Sequence, residues 1–301
     1  MLTRPIHALV DRDCPRRKSG TVRAHVTHMT LPPGSLVQLA TGVRCSSPLL
    51  LPVQMAPHIT HDELVLLLSE LLGTYAIDPT SKTGTASRDR PLVTPEELLE
   101  YLDELGSARG VAMVRRALEE APVGAASPME AKLFLRATAR FASGGYHLGG
   151  VTLNDPVELE RISVDVPQVS VRKPDLLLLA PTGTPRADTT FRGVAFDYHG
   201  GWHTDPSQVK KDTERGNEFL AAGFKNYVLW KENFDDLDYM DAIMAQVRRD
   251  LGLPSRKLGH ERAEKEHAAR QRYQKELARI NGTTWSGFPE NVRAAGIGST
   301  A

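Results

Sequence analysis

The sequence predicts an α/β domain that is preceded by a mostly helical region and followed by a basic helix. Three observations lead to this fold class. Helix-start signals precede apolar runs across residues 60–121, which is typical of helices. Short apolar or alternating stretches, which are typical of strands, lie between residues 159 and 230. Residues 205–222 have helical spacing and separate the last strand from the others, so that strand is reached by a helical crossover.

The region before the α/β domain divides into a loosely structured start, residues 1–22, and a mostly helical accessory domain, residues 23–122. Two of its helix starts have the capping-box pattern, in which a Thr and a Glu three residues later each accept a backbone N–H from the other. These pairs are Thr60 with Glu63, and Thr94 with Glu97. Nothing in this region indicates chemistry.

The α/β domain is predicted over residues 127–252, and it begins with a helix in which Ser127 and Glu130 form a third capping-box pattern. The core order that follows is α-β-β-β-α-β. Residues 253–301 are predicted to form a basic helix and a disordered tail. The predicted strands are residues 159–171, 175–180, 193–198 and 226–230, and the later helices are residues 205–222, 237–251 and 256–279.

Composition excludes several classes of protein. The chain has 37 Lys and Arg residues against 37 Asp and Glu, so any attraction to nucleic acid must come from local patches. Cys14 and Cys45 are too few for a cysteine-rich zinc site and predict no disulfide framework. Charged residues near the start argue against a signal peptide, and no apolar run is long enough to cross a bilayer. The sequence therefore predicts a cytoplasmic protein without a membrane partner.

Acidic residues flank two neighbouring predicted strands. Asp175 follows Lys173 and Pro174 at the start of one strand, and Asp197 lies near the end of the next. His199 is two residues after Asp197, so both side chains point to one face of the strand. Hydrolysis of a phosphodiester with a hard cation needs converging carboxylates, a group that handles the attacking water, and positive charge near the phosphate. The pattern favours such chemistry here.

A spaced set of residues resembles the very-short-patch-repair (Vsr)-like branch of the PD-(D/E)XK nuclease superfamily. The set comprises Glu130, Asp175, Asp197, His199 with Gly200 and Gly201, His203, Asp212, Arg215 and Gly223. The resemblance covers about residues 127–252 and implies a restriction-endonuclease-like core. It also implies an endonuclease that cleaves nucleic acid, in the first place DNA, with Mg²⁺ or Mn²⁺, in bacterial defence or repair. The N-terminal layout resembles actinobacterial proteins and AbiEi-type antitoxins.

The resemblance implies roles for the matching residues. The catalytic residues would be Asp175, Asp197, His199, His203 and Glu130. Asp175 and Asp197 would bind the metal, with the Tyr198 carbonyl as a further ligand, and the histidines would assist proton transfer. His199 stands where the superfamily usually has a lysine, so positive charge at the phosphate must come from a histidine or from Lys173, Lys210 or Lys211. The implied nucleic-acid contacts are Lys173, Trp202, Lys210, Lys211 and Arg215.

Some of these residues also have a structural explanation. Glu130 can cap the helix that starts at Ser127, or it can reach the site, and its position on the helix is expected to allow only one of these roles. Arg215 can form a surface ion pair with Asp212, three residues earlier on the same predicted helix. Residues 256–279 can be a solvated helix face instead of a nucleic-acid contact.

Two alternatives concern the whole site. His199 and His203 can form a zinc site with Asp197 or Asp205 instead of assisting hydrolysis. The protein can also be a catalytically inactive nucleic-acid-binding or antitoxin-like regulator, or a protein-interaction module, and a protein partner or a homo-oligomer remains open. Salt-dependent binding to DNA is expected of the nuclease and of the nucleic-acid-binding regulator but not of the interaction module, because phosphate contacts release counterions.

Overall fold

The structure, a computed structural model, describes residues 6–10, 21–27, 30–162, 167–181, 190–200, 206–254 and 256–287. The fold is mixed α/β, which confirms the predicted class. The chain forms two compact units, each of which is discontinuous in sequence. Unit 1 comprises residues 1–72, 91–121 and 280–301, and unit 2 comprises residues 73–90 and 122–279. No helix in the described ranges is long and apolar enough to span a membrane.

Unit 1 combines short strand pairs with four helices in its described part. Its elements are β1 (Ile6–Val10), β2 (Val22–Val26), β3 (Leu36–Ala40), β4 (Val43–Ser46), α1 (Leu50–Met55), α2 (His61–Leu72), α3 (Pro95–Leu105) and α4 (Val111–Leu118). β1 pairs in parallel with β2, and β3 pairs antiparallel with β4. Residues 6–10 therefore form a strand within the segment that the sequence predicts as loosely structured.

The helix starts in unit 1 follow the predicted capping boxes. In α2 the Glu63 N–H donates to Thr60 Oγ1 at 3.2 Å, and the Thr60 N–H donates to Glu63 Oε2 at 2.8 Å. In α3 the same reciprocal pair forms between Thr94 and Glu97. Nine of the residues of α2 are buried, so this helix lies at the centre of the unit 1 core. The predicted helical accessory region thus has its helix starts where the caps indicate.

Unit 2 contains a four-stranded sheet and further two-stranded sheets. Its elements are β5 (Tyr75–Ile77), β6 (Thr85–Ser87), α5 (Pro128–Thr138), β7 (Val151–Leu153), β8 (Val157–Ile162), β9 (Pro167–Arg172), β10 (Leu176–Leu179), β11 (Gly193–His199), α6 (Pro206–Ala221), β12 (Phe224–Trp230), α7 (Lys231–Asp235), α8 (Leu237–Asp250) and α9 (His260–Arg279). The strand order in the larger sheet is β12-β11-β10-β7. β10 is antiparallel to β7 and to β11, whereas β11 is parallel to β12 and is joined to it through α6.

The predicted first strand, residues 159–171, is wrong. Its two ends belong to β8 and β9, which pair with each other as an antiparallel hairpin in a sheet of their own. The strand that enters the four-stranded sheet is β7, which precedes the hairpin. Alternation of apolar residues continues through both arms of a hairpin, so periodicity alone does not show where one strand ends. The sheet elements and their flanking helices still follow in the order α5-β7-β10-β11-α6-β12, with the hairpin inserted after β7.

The core of unit 2 fixes α6 against one face of the sheet. Leu177 and Ala195 on the sheet pack with Phe219 of α6 and Phe224 of β12, and the hairpin adds Val157 and Leu159 to the same cluster. Ala195 is two residues before Asp197 on β11, so Asp197 lies on the face that α6 covers. Gly223 follows the end of α6, as predicted. Its φ of +83° favours glycine, and a side chain there would collide with the Thr190 carbonyl.

Helix α9 is the basic helix of the sequence analysis, and one of its faces is buried. Ala269, Tyr273 and Leu277 are buried, and Gly144 packs against the backbone of Ala269 and the side chain of Tyr273. One face of α9 thus contributes to the core of unit 2, while charged side chains such as Glu261 and Lys265 are exposed, as the solvated-face interpretation expects. A nucleic-acid contact of this helix stays a prediction.

Candidate active site

Asp175 directly precedes β10, and Asp197 lies on the neighbouring strand β11. The antiparallel register of β10 and β11 pairs Leu176 with Phe196. Continued by one residue, that register sets Asp175 opposite Asp197, and residues opposite each other in antiparallel strands project to the same face. The negative charge of Asp197 also raises the pKa of Asp175. The structure therefore brings together the two residues that the resemblance implies as metal ligands.

Asp197 is a buried carboxylate with a partner at each oxygen. Its relative exposure is 5%. Oδ1 accepts a hydrogen bond from Arg215 Nη2 at 2.7 Å, and Oδ2 accepts one from Asn226 Nδ2 at 3.1 Å. Burial raises the pKa of Asp197, while the Arg215 charge and the Asn226 hydrogen bond act in the opposite direction. These two contacts stabilise a charge that would otherwise be costly to bury.

Asp175 accepts a hydrogen bond from the backbone of the neighbouring strand. The Tyr198 N–H donates to its Oδ2 at 2.6 Å. The pKa of Asp175 is raised to about 7, first by burial and then by the negative charge of Glu130, with Asp197 adding to the rise. The Tyr198 hydrogen bond and the Arg215 charge oppose this rise. Asp175 is therefore a carboxyl group that titrates near neutral pH beside two other carboxylates.

Glu130 is both a helix cap and a neighbour of the site. The Glu130 N–H donates to Ser127 Oγ at 3.1 Å, and Glu130 Oε2 accepts the Ala126 N–H at 2.8 Å. The same oxygen accepts Asn154 Nδ2 at 2.7 Å, and the Glu130 charge raises the pKa of Asp175. The cap role is confirmed, and a catalytic role of Glu130 stays a prediction. The carboxylate turns back to Ala126 instead of Ser127, and from there it still acts electrostatically on Asp175.

Arg215 joins the two strands through α6. Its Nη2 donates to the Lys173 carbonyl at 2.6 Å and to Asp197 Oδ1 at 2.7 Å. Arg215 thus forms an ion pair with Asp197. The sequence also offered Asp212 as a partner, and the structure does not describe the Asp212 side chain. Lys173 is exposed and contributes its backbone carbonyl to this contact.

Tyr198 and His199 flank the acidic residues along β11. The ring of Tyr198 packs edge-on against Phe234, with 5.7 Å between ring centroids, and burial raises its pKa to about 12. His199 packs edge-on against Trp230 at 4.9 Å, and its charge lowers the pKa of Asp197. The Tyr198 backbone N–H donates a hydrogen bond to the Asp175 carboxylate. The role of its carbonyl as a metal ligand stays a prediction.

Other predicted site residues lie outside the described part of the chain. Trp202, His203 and Asp205 are among them, so the zinc alternative stays a prediction. Lys210 and Lys211 lie on α6, where the backbone is described and their side chains are not.

Two asparagines complete the site and were not predicted. Asn154 has a φ of 53° at the end of β7 and donates to Glu130 and to the Gly124 carbonyl. Asn226 lies in the apolar strand β12 and donates to Asp197. A polar residue inside an apolar strand is the one signal in the sequence that pointed to Asn226, since a buried amide needs a partner.

The chemistry of the oxygen atoms fits a hard divalent cation. Asp175 and Asp197 are adjacent carboxylates, and the Asn226 Oδ1 atom is buried without a hydrogen-bond partner among the described residues. Mg²⁺ is commonly held by one or two carboxylates and keeps several waters. No group of three or more His, Cys, Asp or Glu side chains in the described ranges is placed to hold a metal. The fit therefore rests on two carboxylates and neutral oxygens.

Comparison with known proteins adds no relative to this picture. No protein-family model, no curated protein and no solved structure matches the chain.

Proposed function

We propose that unit 2 is a PD-(D/E)XK-type nuclease domain that hydrolyses phosphodiester bonds of DNA with Mg²⁺ or Mn²⁺. The observation that carries the proposal is the placement of Asp175 opposite Asp197 at one end of β10 and β11. The order α5-β7-β10-β11-α6-β12 agrees with the core that the resemblance implies. The first helix adds Glu130, whose charge acts on Asp175.

Each residue has a defined task under this proposal. Asp175 and Asp197 would hold the cation, which when bound activates water and stabilises charge on the phosphate. With a pKa raised to about 7, Asp175 is partly protonated at neutral pH, and a cation held at its oxygens would favour the ionised form. His199 is two residues after Asp197 on β11 and would be the group that assists proton transfer. Asn226 orients Asp197 through its amide.

A second function is favoured by the contacts of Asp197. Arg215 and Asn226 satisfy both oxygens of this carboxylate without a cation, and position 199 is a histidine instead of a lysine. A nucleic-acid-binding regulator without catalysis would have these features. Such a regulator binds DNA in EDTA with an affinity that falls as salt rises, because phosphate contacts release counterions, and it cleaves nothing.

The test is cleavage of supercoiled plasmid and of short duplexes in Mg²⁺, Mn²⁺ and EDTA by the wild type, Asp197→Asn and Asp250→Asn. Asp250 is a matched control in the same unit, because its side chain is 5% exposed against 7% for Asp197. Each carboxylate forms an ion pair with a basic side chain, Lys225 for Asp250 and Arg215 for Asp197. We expect cleavage by the wild type and Asp250→Asn in metal, and none by Asp197→Asn. Equal cleavage by Asp197→Asn, or salt-dependent binding without any cleavage, rejects the nuclease proposal.

A further inference from the structure

Arg215 and Arg172 are held by carboxylates in different ways, although both side chains are 32% exposed. Arg172 donates to Glu218 from Nε at 2.8 Å and from Nη2 at 3.2 Å, which is a bidentate pair. Arg215 uses the single atom Nη2 for both Asp197 and the Lys173 carbonyl. Bidentate pairing is the stronger and more specific arrangement. Arg215 is therefore held less completely than Arg172.

The Arg215 side chain also keeps a buried donor unsatisfied. Its Nε has no hydrogen-bond partner among the residues that the structure describes. On the other side of Asp197, the buried Oδ1 atom of Asn226 also has no hydrogen-bond partner among the described residues. A buried donor or acceptor without a partner has a free-energy cost, and a bound ion is one explanation of such an atom. The two atoms flank Asp197, which points to a ligand of this carboxylate besides Arg215 and Asn226.

Arg215 and a divalent cation cannot both bind Asp197 without repulsion. A cation would lie about 2.0–2.6 Å from a carboxylate oxygen, while Arg215 Nη2 lies 2.7 Å from Oδ1. Two positive groups at such a separation repel strongly where burial lowers the effective dielectric constant. Asp197 is 5% exposed, so water screens this repulsion weakly. A cation bound at Asp197 would therefore weaken the arginine contact.

We propose that Arg215 is a displaceable counter-ion of Asp197, which holds the carboxylate until a divalent cation takes it and then turns its guanidinium to a phosphate oxygen. This inference rests on the proposed nuclease function. The Lys173 carbonyl, at 2.6 Å from Nη2, keeps the guanidinium at the site after Asp197 is released. The planar fork of an arginine matches a phosphate, so the released group supplies the positive charge that a histidine at position 199 does not guarantee.

The experiment measures Mn²⁺ binding without nucleic acid in the wild type, Arg215→Gln and the control Arg172→Gln. Free Mn²⁺ is counted by electron paramagnetic resonance, and thermal unfolding is followed with and without Mn²⁺. Without metal, Arg215→Gln is expected to have a lower melting temperature than the wild type, because the buried Asp197 loses its counter-ion. Its Mn²⁺ affinity is expected to rise about tenfold or more, and Mn²⁺ is expected to restore its melting temperature. Arg172→Gln is expected to bind Mn²⁺ like the wild type.

Three outcomes separate the possibilities. Equal or weaker Mn²⁺ binding by Arg215→Gln, with normal binding by the wild type, overturns the counter-ion role and leaves the nuclease proposal standing. Absence of Mn²⁺ binding in every protein overturns both. If Arg215→Gln does not fold, Arg215→Met replaces it, since methionine also removes the charge and keeps an apolar stem. A rise in Mn²⁺ affinity then supports the role, and no rise overturns it.

Discussion

Glu63 and Glu130 are two buried glutamates that occupy the same position of a capping-box sequence pattern, one in each unit. Each lies three residues after a Thr or Ser that caps its helix, and each accepts a backbone N–H near that helix start. Their relative exposures are 0% and 7%, so neither charge is solvated. The two carboxylates nevertheless differ in what surrounds them, and under the proposed function that difference separates a structural cap from a site residue.

Glu63 is surrounded by neutral donors that belong to the fold. Besides the Thr60 N–H, its oxygens accept the Ser286 N–H at 2.9 Å and the Ser286 hydroxyl at 2.6 Å. The following residue, Gly287, lies against the His58 backbone, where a side chain would not fit. Glu63 therefore connects the start of α2 to the chain after α9 within unit 1.

Glu130 instead has other acids nearby. Its hydrogen bonds to Ala126 and Asn154 fix the carboxylate, and its charge raises the pKa of Asp175, which itself lies beside Asp197. Crowded carboxylates repel each other and destabilise a fold unless a cation binds between them. The capping pattern alone thus predicts where a helix starts, while the tertiary neighbours decide whether its glutamate has a further function.

The largest expected effect is on the pH dependence of stability in Asp175→Asn. The pKa of Asp175 is raised from 3.8 to about 7, so the folded protein binds more protons than the unfolded chain between these values. Wild-type stability should therefore fall relative to the variant as pH rises from about 4 to 7, by up to about 4 kcal/mol. Below about pH 4 the two should be nearly equal. Denaturant unfolding at several pH values measures this, and a pH-independent difference would contradict the crowding of acids.

The next effect is a loss of stability in Glu63→Ala. The variant leaves the Thr60 N–H and the Ser286 donors without their acceptor, and we expect a cost of about 2–4 kcal/mol in the free energy of unfolding. Glu97→Ala is the matched control, because Glu97 forms the same box on the surface and should cost about 0.5–1 kcal/mol. Cleavage and Mn²⁺ affinity should not change in either. Equal losses in the two variants would show that the contacts of Ser286 add nothing.

The smallest effect on stability is expected for Glu130→Gln. One oxygen of Glu130 accepts both the Ala126 N–H and the Asn154 amide, so a glutamine oxygen can keep both bonds and only the charge is lost. We expect a change in stability below about 1 kcal/mol and a fall of about tenfold in Mn²⁺ affinity at pH 8, where Asp175 is ionised in both proteins. Unchanged Mn²⁺ affinity would make Glu130 a cap of the same kind as Glu63.

Local signals in the sequence were sufficient for much of the fold. The caps at Thr60, Thr94 and Ser127 gave the starts of α2, α3 and α5, and three of the four predicted strands match β10, β11 and β12. Caps and apolar runs are determined by neighbours in sequence, which is why they can be read directly. The pairing of β8 with β9 was missed, because the alternation of apolar residues continues from one strand to the next.

The site was predictable only in part, for the same physical reason. Asp175 and Asp197 were identified because they flank strands that pair with each other. The partners of Asp197 are Arg215, 18 residues away, and Asn226, 29 residues away, and no local pattern specifies such pairs. The contact between Glu130 and Asn154 was not predicted, because the fold brings Asn154 to the helix start from β7.

The most direct test of the cation site is the titration of the Asp175 carboxyl carbon by ¹³C nuclear magnetic resonance, assigned with Asp175→Asn. Without a divalent cation the signal should titrate near pH 7, because burial and the charges of Glu130 and Asp197 disfavour the ionised form. Saturating Mg²⁺ should move the midpoint well below 7, since a cation at these oxygens favours the carboxylate. A midpoint near the ordinary value of 3.8, or one near 7 that Mg²⁺ does not move, would contradict a cation site formed by Asp175 and Asp197.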